Sequence, residues 1–257
     1  MDEIIKKFTS DEVYYSDYSF VTNSQLGLIK RSPATYQHYR DNPSDRPITK
    51  ALNFGKAFHM CMLEHDKYKK EVVVEPDVNK RTKAGKEEYQ KFLTLHEGMT
   101  ILSHDEDESL SGMRKKLTSS VEAMELLSGG IAEQVNVWND LDSKIPCKGK
   151  ADYWNKDRNI LVDIKTTQDS SPDGFRKSAY KYGYDRQAAF YLDGFNVDQF
   201  WFIVIEKSAP YNMAIYNCSE EFIDEGRMKY KRLLDMYSLY FIQNLFDPYE
   251  HVYTGTL

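Results

Sequence analysis

The segment GKADYWNKDRNILVDIKTT, residues 149–167, contains the residues that could carry chemistry. Asp163 and Lys165 lie in an apolar run that predicts a strand, so their side chains point to one face while Ile164 points into the core. Asp152 ends the preceding predicted strand, and a short connection allows it to approach Asp163. Two convergent carboxylates form an oxygen-rich site suited to Mg²⁺ or Mn²⁺. The lysine could orient or deprotonate an attacking water and balance charge on a phosphate.

Further candidates lie outside this hairpin, which matters because a D-x-K triplet in a strand is common by chance. Gln187 and Tyr191 in DRQAAFYLDGF have the spacing that places both on one face of a helix. His59 lies in ALNFGKAFHMCMLEH, where a histidine among apolar neighbours is usually a core residue with a local hydrogen bond. Glu133, on the strand before the hairpin, could be an outer carboxylate, but a solvated strand position is the simpler interpretation.

The elements that position these residues change in character along the chain. Apolar residues at helical spacing predict helices in the first half. One helix begins after Thr22 to Ser24 and a second begins at Ser32-Pro33. A third covers 51–65, and further helices cover 78–127, with breaks near Gly98 and the HDEDE stretch. Alternating residues then predict three strands, over 131–140, 145–154 and 159–165, with a hairpin turn at 155–158. A helix over 173–195, strands over 198–206 and 211–217 and a helix over 220–243 follow. This order predicts an α/β fold with a mixed central sheet flanked by helices and a helical N-terminal portion.

Composition limits the alternatives. The 257 residues, 41% of them hydrophobic, show no repeat or linker, so we expect one domain over 1–257, helical over about 1–128 and with a sheet core over about 129–257. The scattered cysteines Cys61, Cys147 and Cys218 have no metal-ligand spacing and predict reduced thiols. The charged start and the absence of a long apolar run predict a soluble, cytoplasmic protein with no membrane contact.

The net charge of −6 argues weakly against a protein that binds nucleic acid over its whole surface. Basic residues nevertheless cluster locally, as expected of an enzyme that binds DNA in one groove and repels it from the rest of its surface. A solvated helix face is the simpler interpretation of any single cluster. The clusters are Lys80, Arg81, Lys83 and Lys86; Arg114, Lys115 and Lys116; Arg176, Lys177 and Lys181; and Arg227, Lys229, Lys231 and Arg232.

Five stretches together resemble the RecE-type nuclease domain, also called exonuclease VIII, of phages and prophages in the PD-(D/E)xK superfamily. They are TNSQLGLIKRSPATYQHY, ALNFGKAFHMCMLE, KGKADYW, VDIKTT and RQAAFYLDGF. More distantly the chain is similar to phage lambda exonuclease and to the nuclease domains of bacterial recombination helicases. The resemblance implies the PD-(D/E)xK nuclease core and a Mg²⁺-dependent exonuclease. Such an enzyme degrades double-stranded DNA ends, 5′ to 3′, and leaves a single strand for phage-type recombination by annealing.

The resemblance also implies site residues and partners. Catalytic residues would be Asp152, Asp163, Lys165 and the QxxxY pair Gln187 and Tyr191. One or two Mg²⁺ ions, or Mn²⁺, would be bound by His59, Asp152, Asp163 and the backbone carbonyl of Ile164. DNA would be contacted by Ser24, Arg31 and Ser32 of the first motif, and by Arg176, Lys177 and Lys181, which precede Gln187 on the same predicted helix. Expected partners are DNA ends, a phage single-strand annealing protein, and further copies of the chain in a ring of three or four. The proline usual before the first acid is Ala151 here.

Two alternatives remain. An endonuclease of the restriction or junction-resolving type would use the same core, and a catalytically silent DNA-binding module could have kept the fold. Retention of every motif in order argues against the silent module. A nuclease with an iron–sulfur cluster would need four clustered cysteines, and the chain has three scattered ones.

Overall fold

The computed structural model describes residues 2–8, 10–47 and 49–245, so residues 1, 9, 48 and 246–257 of the predicted domain lie outside the description. The helices are α1 (Asp2–Ile5), α2 (Asp11–Ser16), α3 (Asn23–Arg31), α4 (Pro33–Asp41), α5 (Lys50–Leu63), α6 (His65–Glu71), α7 (Lys83–Leu95), α8 (His104–Thr118), α9 (Val121–Leu126), α10 (Pro172–Tyr182), α11 (Tyr184–Phe195) and α12 (Glu220–Tyr237). The strands are β1 (Val72–Val74), β2 (Thr100–Leu102), β3 (Ile131–Asn139), β4 (Pro146–Asn155), β5 (Ile160–Thr167), β6 (Gln199–Glu206) and β7 (Met213–Asn217). A 3₁₀ turn, Pro43–Asp45, follows α4, and a π-helical turn, Ser238–Ile242, follows α12.

The main sheet contains β3, β4, β5, β6 and β7 in sequence order. Neighbouring strands are antiparallel except for β5 and β6, which are parallel and joined by a crossover through α10 and α11. The short strands β1 and β2 form a separate parallel pair. The predicted mixed sheet with flanking helices is therefore confirmed.

Helices cover both faces of this sheet because its strands are apolar on both sides. On one face, Val162 and Ile164 of β5 pack in a core with residues of α5 and α8. On the other face, Leu161 of β5 and Phe202 of β6 pack against α3, α11 and α12. Asp163 alternates with Ile164 along β5 and so lies on the side of α11. The sheet thereby carries the DIK triplet between two helical layers.

The single helix predicted over 173–195 is wrong, because the structure has two helices there. Gly183, at φ 72°, ends α10 and precedes α11. A residue in the left-handed conformation lets backbone N–H groups bond the last carbonyls of a helix, and glycine adopts this conformation without a steric cost. Lys181 and its basic neighbours therefore lie on a different helix from Gln187, contrary to the prediction.

One smaller prediction also fails, and two short strands were missed. The HDEDE stretch does not break a helix; it forms the first turn of α8, where Ser103 and Glu106 form a capping box and the acidic residues suit the helix dipole. The strands β1 and β2 were not predicted, because three residues are too few to show an alternating pattern. The helix predicted over 220–243 is present, α-helical to Tyr237 and continued by the π-helical turn to Ile242.

Candidate active site

The candidate site opens where β4 and β5 separate. Their ladder ends at the pair Tyr153–Val162. One residue further along, Asp152 Oδ2 accepts a hydrogen bond of 2.9 Å from the backbone N–H of Ile164, so a carboxylate takes the place of a main-chain partner. Lys165 Nζ lies 2.5 Å from Asp163 Oδ2, as expected for residues on one strand face, while Ile164 is buried.

Three residues from three elements form a cluster that could bind a metal ion. His59 of α5, Glu133 of β3 and Asp152 of β4 each offer a ligand atom, and these atoms lie within 4.8 Å of one another. His59 Nδ1 is 3.3 Å from Asp152 Oδ2 and 3.9 Å from Glu133 Oε1. One imidazole and two carboxylates suit Mn²⁺ or, with water, Mg²⁺. The cluster unites the predicted residues His59 and Asp152.

Glu133 does not occupy the solvated strand position expected from the sequence. Its side chain is only 17% exposed and contacts both His59 and Lys150. Its backbone has φ 51°, which non-glycine residues rarely adopt and which persists only where the surroundings impose it. A signal was present, because Glu133 alternates in register with the buried residues Val135 and Val137 and so belongs to the inward face of β3.

Burial determines the charges in this site. It lowers the pKa of His59 to about 4, so the ring is neutral near pH 7 and its nitrogen is free to bind a cation. Burial and then Asp152 raise the pKa of Asp163 to about 6, and burial likewise raises the pKa of Asp152 and of Glu133. Burial opposes the charge of Lys165, but Asp163 and Asp152 raise its pKa above the usual range. A bound cation would relieve the crowding of carboxylates.

Asp163 is engaged on both oxygens and lies outside the three-residue cluster. Besides Lys165 at Oδ2, it accepts a hydrogen bond of 2.7 Å at Oδ1 from Gln187 Nε2. Tyr191, one turn after Gln187, packs by its ring and not by a polar contact with the acids: a Cβ atom on Gly149 would lie 2.9 Å from Tyr191 Cε1. Of the predicted QxxxY pair, Gln187 thus touches an acid and Tyr191 fills the space beneath β4.

The N-terminal helix α2 is tied to the site by two lysines of β4. Lys150 Nζ lies 2.7 Å from Glu133 Oε2 and 2.7 Å from Asp11 Oδ1. Lys148 is fully buried and donates hydrogen bonds of 2.6 and 2.7 Å to the carbonyl oxygens of Tyr14 and Asp17. Sequence reasoning missed this arrangement, because strand patterning does not reveal a partner more than a hundred residues away.

The predicted DNA-contacting residues are divided between two regions. In the first motif, Ser24 and Arg31 are exposed on α3, whereas the Ser32 hydroxyl caps α4 by accepting from the backbone N–H of Thr35 at 3.0 Å. Arg186 Nε donates to Asn23 Oδ1 at 2.8 Å, which places the start of α3 beside the start of α11. The second region is the exposed surface of α10, with Arg176, Lys177 and Lys181.

Comparison with known proteins gives a family and a fold. Residues 22–244 match the family model of a PDDEXK-like domain of unknown function, DUF3799. A crystal structure of a candidate exonuclease from Eubacterium rectale aligns with a TM-score of 0.62 at 12% identity, over 98% of this chain and 94% of that one. At this identity the likeness shows the fold alone.

Two other solved structures align less well. An alkaline exonuclease from Laribacter hongkongensis has a TM-score of 0.36 at 12% identity, over 91% of this chain and 97% of its own. A phage-related exonuclease from Haemophilus somnus has a TM-score of 0.33 at 15% identity, over 66% and 91%. Neither carries an argument at these scores. No curated protein sequence matches the chain. In the described part of the chain, no helix has both the length and the apolar character needed to span a membrane.

Proposed function

The chain belongs to the family of PDDEXK-like domains of unknown function, DUF3799, and from this premise we propose that it is a metal-dependent DNA exonuclease of the RecE type. The observation that carries the proposal is the position of Lys165 and Asp163, which form an ion pair beside the cluster of His59, Glu133 and Asp152. A protonated lysine next to a cation site can stabilise the negative charge that develops in phosphodiester hydrolysis.

In this proposal each side chain has a distinct task. His59, Glu133 and Asp152 would bind the ion, and Asp163 with the Ile164 carbonyl would complete this site or bind a second ion. When bound, Mg²⁺ or Mn²⁺ supplies a positive field that favours ionisation of water and stabilises the leaving oxygen. Lys165 stays protonated and balances charge that develops on the phosphate. Gln187 fixes the direction of the Asp163 carboxylate through its hydrogen bond.

The resemblance to RecE-type nucleases supports a more specific substrate. Further support comes from the E. rectale protein of the same fold, which is described as a candidate exonuclease. The substrate would be double-stranded DNA ends, degraded 5′ to 3′ to provide a single strand for a phage annealing protein. Ser24 and Arg31 on α3 and the basic residues of α10 would contact the DNA. The single nuclease domain would assemble into a ring of three or four copies, and light scattering that finds only monomer would contradict the ring.

Substitutions at the ion pair test the assignment of the catalytic centre. Asp163→Asn and Lys165→Met should each reduce Mg²⁺-dependent release of nucleotides from linear duplex by at least about a hundredfold, because the first removes a carboxylate proposed to bind the ion and the second removes the positive charge next to the phosphate. Far-ultraviolet circular dichroism should be unchanged. The exposed pair Asp105→Asn and Lys115→Met on α8 serves as the matched control and should keep full activity. Full activity of either site variant would overturn the assignment.

A further inference from the structure

Aromatic rings form a continuous row from the core to the surface next to the candidate site. Phe202 is buried in the sheet core, and its ring centroid lies 5.8 Å from that of Tyr184, with 36° between the planes. Tyr184 is followed by Tyr182 at 5.9 Å and 34°. The Tyr182 side chain is 59% exposed, so the row ends on an open ring.

The middle ring of this row lies beside the candidate catalytic lysine. Lys165 Nζ, which also pairs with Asp163, lies 5.0 Å from the Tyr184 ring centroid. The two tyrosines can meet because Gly183, in its left-handed conformation, turns the chain between α10 and α11. Tyr184 is held by Phe202 and by Phe175, whose ring centroid is 6.1 Å away. The pair of tyrosine rings is therefore fixed at Tyr184 and open at Tyr182.

Positive charge accompanies the open ring. Lys181 Nζ lies 5.3 Å from the Tyr182 ring centroid, and Arg176 and Lys177 are exposed on the same helix. Aromatic rings interleaved with basic side chains are the arrangement by which proteins bind single-stranded nucleic acid, the rings stacking on bases and the charges meeting phosphates. In a duplex each base is covered by its neighbours, so an open ring can stack only on a terminal or unpaired base.

We propose that Tyr182 and Tyr184 form a stacking platform for an unpaired nucleobase of the DNA strand whose phosphate lies at Lys165. The platform makes DNA ends with unpaired nucleotides the preferred substrate class. This inference rests on the proposed function in taking DNA as the substrate. Lys181, although not on the helix of Gln187, is adjacent to the outer ring and would therefore lie on the path of this strand.

Binding measured in EDTA tests the platform without any cleavage. Fluorescence anisotropy would compare a blunt duplex with a duplex that carries a short unpaired end. The wild-type protein should prefer the unpaired end, and Tyr182→Ala should lose about tenfold in affinity for it, as expected for one stacked base, with little change for the blunt duplex. Tyr182→Phe should bind as the wild type does, because it keeps the ring.

The matched control is Tyr180→Ala, which removes another partly exposed ring of α10 that packs instead on Phe222, with centroids 5.5 Å apart. It should not change the preference. Equal affinity of Tyr182→Ala and wild type for the unpaired end would overturn the proposal, as would a loss that accompanies a changed oligomeric state, since Tyr182 would then lie in a contact between copies. Mg²⁺-dependent cleavage by the wild type reports on the proposed function separately.

Discussion

Among single residues, Glu133 has the most direct consequence for a bound cation. Its carboxylate is directed to His59 by a strained backbone and by Lys150. Replacing it with glutamine removes one charge and one oxygen ligand while keeping the shape of the side chain. We expect Glu133→Gln to weaken Mn²⁺ binding by at least about tenfold, since even residues that only support metal ligands have effects of this size.

The measurement is the rise in melting temperature on titration with Mn²⁺ or Ca²⁺, alongside the metal concentration for half-maximal cleavage. Glu12→Gln, on the exposed side of α2, removes the same charge and should leave both quantities unchanged. If Glu133→Gln and wild type bind the ion equally well, Glu133 is not a ligand.

Lys148 gives the stability of the protein a dependence on pH. Burial lowers the pKa of Lys148 from the usual 10.5 to about 8. Between pH 8 and pH 10.5 the unfolded chain binds more protons than the folded one, so the free energy of unfolding rises with pH in this range. Below about pH 8 the amine is charged in both states, and the full cost of burying that charge lowers the stability of the fold.

Urea unfolding of the wild type and Lys148→Met at pH 7, 8 and 9 measures this contribution. Relative to the variant, the wild type should gain stability above pH 8, by at most about 1.4 kcal/mol per pH unit. Lys115→Met, at an exposed position of α8, should run parallel to the wild type. Parallel curves for Lys148→Met as well would show that the amine is not buried as described.

At the scale of elements, the site depends on close packing of α11 against α12. A Cβ atom on Gly226 of α12 would lie 2.0 Å from the carbonyl oxygen of Asp185, which is backbone and cannot rotate away. Gly226→Ala should therefore force the helices apart, lower the free energy of unfolding by about 1 to 3 kcal/mol and reduce activity, because α11 carries Gln187.

Gly55→Ala is the matched control in α5, where a Cβ atom meets nothing within 4 Å. In a helix interior this change should stabilise the protein by about 0.5 to 1 kcal/mol. Denaturant unfolding that finds the two variants equally stable would contradict the close approach of α11 and α12.

Local patterns in the sequence were enough for most elements of the fold. The alternation in 131–165 predicted the hairpin, and the spacing of Asp163 and Lys165 predicted that their side chains share one face of a strand. Contacts between distant segments could not be predicted in this way. The ion pair of Lys150 with Asp11 joins residues 139 positions apart, and only the packed structure brings them together.

For the whole molecule, the distribution of charge distinguishes the basic clusters. Arg227, Lys229 and Lys231 of α12 pair with Asp193, Asp185 and Asp142, so carboxylates of the protein already neutralise three of the four residues of this cluster. In the cluster of α10, by contrast, Lys181 lies next to the outer ring of the tyrosine platform. On a protein with a net charge of −6, a basic cluster that carboxylates do not neutralise would attract DNA locally while much of the remaining surface repels it.

The most direct test of the proposed exonuclease is incubation of the purified protein with linear duplex and with covalently closed circular DNA, each with Mg²⁺ and with EDTA, using 5′-labelled and 3′-labelled ends. We expect Mg²⁺-dependent loss of the linear DNA alone, with early release of the 5′ label. Cutting of the circle would contradict an exonuclease and indicate an endonuclease on the same core. No cutting of either DNA would indicate a silent DNA-binding module.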